Sequence, residues 1–230
     1  MITQGMPESR NNMPLKSNNT KIHTQYILNT GDKVPGVTTV LGILDKPNLL
    51  RWAWNCGKNG VDYLKERDKA ADIGTITHLL ILNHFKGTTP DLSEYSQHDI
   101  SLANNCMKSF YEWEKQHKLE PLFVESVWVS DIYGFGGTPD FVGKVDGKLE
   151  IIDYKSGSGI YNNYLYQVSA YRQLAKEQNL NVERARILRI GRDDNEGFEE
   201  RLITSFDNEF ELFLHCLSIY NLLKVMKRSL

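Results

Sequence analysis

At 230 residues the chain can close one sizeable core, because single hydrophobic cores stop growing near roughly 250 to 300 residues, and one folded unit is expected. An apolar fraction of 40%, a charged fraction of 24%, four Trp, eleven Tyr and nine Phe exclude disordered and fibrous classes. A net charge of −2 supplies no overall field that draws in a polyanion, so nucleic-acid affinity must come from a local basic groove or a bound metal.

Residues 1–21, MITQGMPESRNNMPLKSNNTK, are rich in Asn, Ser and Pro with no apolar period, and a loose tail is expected there. With Arg10 as its sole arginine and an acid at Glu8, the stretch does not resemble a transit peptide. No apolar run approaches the roughly 18 residues needed to cross a bilayer, so a soluble, cytoplasmic protein with no membrane partner is expected. Cys56, Cys106 and Cys216 lie far apart without a CxxC pair, which argues against a disulfide framework, a structural zinc site and an iron–sulfur cluster.

HTQYILNT and VPGVTTVL flank Gly31-Asp32, predicting a hairpin that leads into a first helix. From Leu50, the residues Ala53, Trp54, Gly57, Val61 and Leu64 recur at helical spacing, predicting one buried stripe. A second helix over 73–85 is apolar nearly all round, stops at Gly87 and belongs in the interior, with His78 at its middle. Leu102, Cys106, Phe110 and Trp113 mark a third, ending before Pro121. Strand patterns follow in FVESVWVS, FGGTPDFVGKV and KLEIIDYK, the last two joined by Asp146-Gly147, predicting a three-strand meander. A helix over 162–178, strands over 184–190 and 198–205 around GRDDNEG, and a closing helix carrying Phe210, Phe213, Leu214 and Leu217 complete the chain. One domain over 22–230 is expected, with a helical portion at 48–118 and an α/β core at 119–230.

Side chains alternate along a strand, so Asp153 and Lys155 emerge on one face with Leu149 and Ile151. Asp140 precedes the turn of the same hairpin and can approach Asp153 across the ladder. Two carboxylates brought together repel, and a divalent cation relieves the repulsion; hard Mg²⁺ takes one or two carboxylates plus waters and phosphate oxygens. A lysine beside such an ion suits phosphodiester hydrolysis, because its charge can orient water or neutralise what develops on the phosphoryl group. On this reading Asp140→Asn, which removes a like-charge contact, raises the stability of the metal-free protein. Alone, Asp-x-Lys also fits a surface ion pair, and Pro-Asp a turn opening.

The residues Gly74-Thr75-Ile76-Thr77-His78, Glu125, Gly137-Thr138-Pro139-Asp140, Ile152-Asp153-Tyr154-Lys155 and Gln167-Val168-Ser169-Ala170-Tyr171 together resemble the PD-(D/E)xK nuclease superfamily, in its RecB-like branch of phage and mitochondrial exonucleases. VPGVTTVLGIL followed by RWAW also looks like that branch. The resemblance implies a restriction-endonuclease-like α/β fold, a mixed sheet flanked by helices. It implies His78, Asp140, Asp153 and the Tyr154 main-chain carbonyl as ligands of Mg²⁺ or Mn²⁺, Lys155 as catalytic, Glu125 as an assisting acid, and Gln167 and Tyr171 as substrate contacts. The imidazole widens the choice toward Mn²⁺. Implied partners are DNA, single-stranded or with free ends, and a single-strand-binding or recombination protein.

The expectation is therefore a metal-dependent exonuclease, with an endonuclease on the same core or a non-cleaving DNA-binding protein as rivals. By spacing alone, a His on an apolar helix fits a core residue, and Tyr164, Gln167, Tyr171 and Leu174 fit a buried aromatic stripe. Trp52 and Trp54 suit either core packing or stacking on unpaired bases. No Walker A loop or dinucleotide glycine pattern is present, so no nucleotide cofactor is expected, and Ser156-Gly157-Ser158-Gly159 is a loop. The clusters Arg184, Arg186, Arg189, Arg192 and Lys224, Lys227, Arg228 suit either phosphate tracking or a solvated face.

Overall fold

A computed structural model of the chain describes residues 24–228; the tail expected over 1–21 lies outside them. The Gly31-Asp32 signal holds as a short hairpin, β1 (Tyr26–Ile27) with β2 (Lys33–Val34), which enters α1 (Val37–Leu41). Three longer helices follow, α2 (Pro47–Lys58), α3 (Tyr63–Lys86) and α4 (Gln97–Glu114). The single buried stripe expected from Ala53 to Leu64 is broken. Asp62 caps a new helix by accepting from the Leu64 and Lys65 amides, so the apolar spacing runs across two elements. Leu50 and Trp54 are each 73% exposed, and in α2 only Cys56 is buried. The interior position expected for the second helix holds at Ile73, Ile76 and Ile81, but the helix begins at Tyr63, well before its apolar run.

The strands are β3 (Leu119–Val124), β4 (Trp128–Ser130), β5 (Phe135–Gly137), β6 (Phe141–Val145), β7 (Lys148–Lys155), β8 (Arg184–Ile190) and β9 (Phe198–Ile203). Two of the expected strands are each split. FVESVWVS breaks at Glu125, whose φ of 47° no strand continues, and FGGTPDFVGKV breaks around Pro139, which has no amide to give a ladder. The freed pieces β4 and β5 pair with each other, while β3, β6 and β7 form the antiparallel meander. Asp146 and Gly147, both at positive φ, make its two-residue turn. Pro121 sits where a central strand would not allow it, because β3 is an edge strand with a register shift just beyond that residue.

Helix α5 (Asn162–Glu177) crosses over so that β8 pairs parallel with β7, and β9 returns antiparallel before α6 (Asp207–Arg228). The five-stranded order β3-β6-β7-β8-β9 is thus a mixed sheet. Alternation along β7 sends Ile151 into a cluster with α1, α5 and α6, and Ile152 and Tyr154 into one with α3 and α4. Burying each such side chain is worth roughly 1.5 to 3 kcal/mol, so both layers are held firmly to the sheet. The result is the α/β core with flanking helices expected of a restriction-endonuclease-like fold. Its central strand ends in Asp153-Tyr154-Lys155.

Candidate active site

Functional groups gather at the carboxyl end of β7, where α3 and α5 approach from opposite faces. Asp153 is buried on the α5 side, and its Oδ1 accepts from Gln167 Nε2 at 3.0 Å. The other amide hydrogen of Gln167 goes to the Tyr171 hydroxyl, also at 3.0 Å. Lys155 Nζ lies 2.7 Å from Asp153 Oδ2, an ion pair at the buried end of the site.

Asp140 arrives from the neighbouring strand. The β6–β7 register ends at Phe141↔Ile152, so Asp140 enters at the end of the ladder, next to Asp153-Tyr154. Its Oδ2 accepts from the Tyr154 amide at 2.9 Å, its Oδ1 is 3.3 Å from His78 Nδ1, and its backbone carbonyl accepts from the Glu125 amide at 3.0 Å. The Tyr154 ring meets His78 edge-on beneath, with centroids 6.4 Å apart. Gly137 is needed for this assembly: a Cβ there would lie 2.6 Å from Tyr171 Cε1 and 3.0 Å from Leu174 Cδ1, so only glycine lets α5 come so close.

The charges are strongly interdependent. Burial disfavours the His78 imidazolium, but the Asp140 carboxylate outweighs it and raises His78 to about 9. Burial also works against the Asp140 carboxylate, yet His78 and Lys155 hold that carboxyl below its ordinary range. Asp153 moves the other way, with burial pushing it up to about 6 against the pull of Lys155. Burial raises Glu125 as well, with Asp140 adding to the effect. Two facing carboxylates have thus been driven apart in proton affinity by their surroundings.

His78, Asp140, Asp153, Lys155, Gln167 and Tyr171 therefore meet in space, and Glu125 stands within electrostatic reach. Glu125 does not share a strand face with Val127 and Val129 as expected; it forms the kink between β3 and β4. The stripe of Tyr164, Gln167, Tyr171 and Leu174 is real, and its polar members turn onto Asp153 and Lys155. A tie that the sequence did not reveal joins Tyr26 to Thr138, hydroxyl to hydroxyl at 3.1 Å; 112 residues separate the two, and no local pattern marks such a contact. The four arginines of the first basic cluster are ion-paired within the fold. Arg184 and Arg186 are spent on the fully buried Glu150, Arg189 on Glu199, and Arg192 on Glu196.

Among the described residues no three His, Cys, Asp or Glu side chains close into a cage around a cation. The donor set suits a partly hydrated ion, because Mg²⁺ is commonly held by one or two carboxylates with waters and phosphate oxygens supplying the rest. Asp153 Oδ2, buried beside the Lys155 ammonium at 2.7 Å, is a carboxylate oxygen that suits that need. Among the described residues no helix is long and apolar enough to cross a membrane.

The sequence pattern of the PD-(D/E)XK nuclease superfamily matches residues 49–218. No curated protein matches the sequence. Among solved structures, the alkaline exonuclease LHK-Exo of Laribacter hongkongensis is similar at 15% identity, over 70% of this chain and 90% of that one, with a TM-score of 0.34. Its complex with dAMP is similar at 16% identity over the same shares, with a TM-score of 0.38. A protein of Eubacterium rectale described as an exonuclease candidate is similar at 11% identity, over 69% of this chain and 66% of that one, with a TM-score of 0.44.

Proposed function

The chain belongs to the PD-(D/E)XK nuclease superfamily, and on that premise we propose that it is a metal-dependent exonuclease acting on single-stranded or frayed DNA ends. The observation that carries the reading is Asp140 at the end of the β6–β7 ladder, its Oδ2 2.9 Å from the Tyr154 amide, with Lys155 Nζ 2.7 Å from Asp153. His78, Asp140, Asp153 and the Tyr154 carbonyl are the residues that would hold Mg²⁺ or Mn²⁺. When bound, such an ion supplies Lewis-acid polarisation of the scissile phosphoryl group and acidifies water.

Lys155 brings a fixed positive charge to the site, where it orients the attacking water or offsets charge growing on the phosphate. Gln167 fixes the rotamer of Asp153, leaving its own carbonyl oxygen and the Tyr171 hydroxyl hydrogen to meet substrate. Glu125 adds to the negative field at Asp140 and assists there. The exonuclease assignment rests on His78 occurring together with Gln167 and Tyr171, the combination through which the chain resembles RecB-like nucleases.

Single- and double-stranded oligonucleotides labelled at the 5′ or 3′ end, alongside closed circular DNA, test the proposal in Mg²⁺, Mn²⁺ and EDTA. Shortening from ends only when a metal is present is expected, with circles left intact. Rapid nicking of circles would replace the exonuclease by an endonuclease. Cleavage indifferent to EDTA would remove the metal, and metal-replete binding without cleavage would leave a non-cleaving DNA-binding protein.

A further inference from the structure

We propose that Tyr164 is a positioning residue for the Lys155 ammonium, holding it against the site with the face of its ring. The inference rests on the nuclease reading above. Lys155 Nζ stands 4.8 Å from the Tyr164 ring centroid and 2.7 Å from Asp153 Oδ2, so the ammonium is held between a π face and a carboxylate. Tyr164 lies one helical turn before Gln167 on α5, and one face of the helix therefore supports both halves of the Asp153/Lys155 pair. The ring is itself braced, edge-on, by Tyr161 at 5.7 Å.

A lysine stem has four rotatable carbons and loses much freedom when its head must stay in one place. Asp153 alone is a poor guide for that head, because a divalent cation bound at the site competes for the same carboxylate. The ring face has no such competitor. Nothing in this contact uses the Tyr164 hydroxyl, so the aromatic ring is the required feature.

The test compares Tyr164→Phe, Tyr164→Leu and Lys155→Ala in the full chain, by steady-state cleavage of labelled single strands and by the NMR shifts of the Lys155 ε-methylene protons. Tyr164→Leu is expected to lower kcat about tenfold to thirtyfold with KM within about twofold, the loss to which a partly desolvated cation–π contact converts. Its ε-methylene resonances move downfield as the ring current disappears, and Tyr164→Phe keeps both wild-type kcat and wild-type shifts. If Tyr164→Leu melts below the assay temperature, Tyr164→Met, unbranched and similar in bulk, takes its place. Wild-type kcat in the leucine variant, an equal loss in the phenylalanine variant, or unmoved lysine resonances would each overturn the proposal. A wild-type protein that cleaves nothing refutes the nuclease reading instead, while the resonance shifts still decide the contact.

Discussion

Replacing Asp140 by Asn in the metal-free protein probes the charge balance of the site. Without metal, the carboxylate is the partner of His78 at 3.3 Å and the acceptor of the Tyr154 amide at 2.9 Å. Raising His78 from 6.5 to about 9 corresponds to a ceiling of about 3 kcal/mol, at 1.36 kcal/mol for each tenfold change in proton affinity. The imidazole is 30% exposed, so solvent screening brings the expected loss in Asp140→Asn to about 1 to 2 kcal/mol. His78 binds its proton more tightly folded than unfolded. Its contribution is therefore whole below pH 6.5 and lost as pH rises through about 9.

At pH 6.5 and above Asp153, raised to about 6, is mostly ionised in the fold and adds little to the trend. Urea unfolding in EDTA at pH 6.5, 8 and 9.5 should show the variant less stable at the lowest pH and the gap closing toward the highest. This reverses the stabilisation expected from the sequence, because the like-charge contact is outweighed by the imidazolium that Asp140 holds. A variant as stable as the wild type at pH 6.5, or a gap that does not narrow by pH 9.5, would refute the reasoning.

Lys155→Ala should lower cleavage at least about a thousandfold in a protein that still folds and binds oligonucleotide; turnover at the wild-type rate would remove Lys155 from the chemistry. Glu150→Gln should cost about 3 kcal/mol in urea unfolding with an unchanged slope, because the fully buried carboxylate is a counter-charge of Arg184 and one of two, with Glu200, of Arg186. A loss under about 1 kcal/mol would contradict that account. Gly137→Ala should over-pack Tyr171 and Leu174, costing about 1 to 3 kcal/mol and lowering kcat by loosening the Gln167–Asp153 bond; full activity at reduced stability would separate the two effects.

The order of elements and the core of the site were legible in the sequence for a local reason. Period-two alternation sets Asp153 and Lys155 on one face of β7, and a two-residue turn at Asp146-Gly147 fixes the register that brings Asp140 across. The helical stripe of Gln167, Tyr171 and Leu174 was equally readable, since i, i+4 and i+7 positions share a face. None of this needs to know what lies opposite. What the alternation and spacing could not convey is where each polar end goes once two layers close on the sheet.

Only the tertiary structure decided that Asp140 holds His78, that Gln167 spends its amide on Asp153, and that Arg184 and Arg186 are consumed by Glu150 instead of facing a phosphate. It also decided that two apparent strands break, at Glu125 and around Pro139, freeing β4 and β5 to pair on their own. The physical reason is the same throughout. Periodicity is a property of one segment and survives in the sequence, whereas a buried charge is settled by whichever partner a distant segment delivers, and desolvation makes that pairing obligatory.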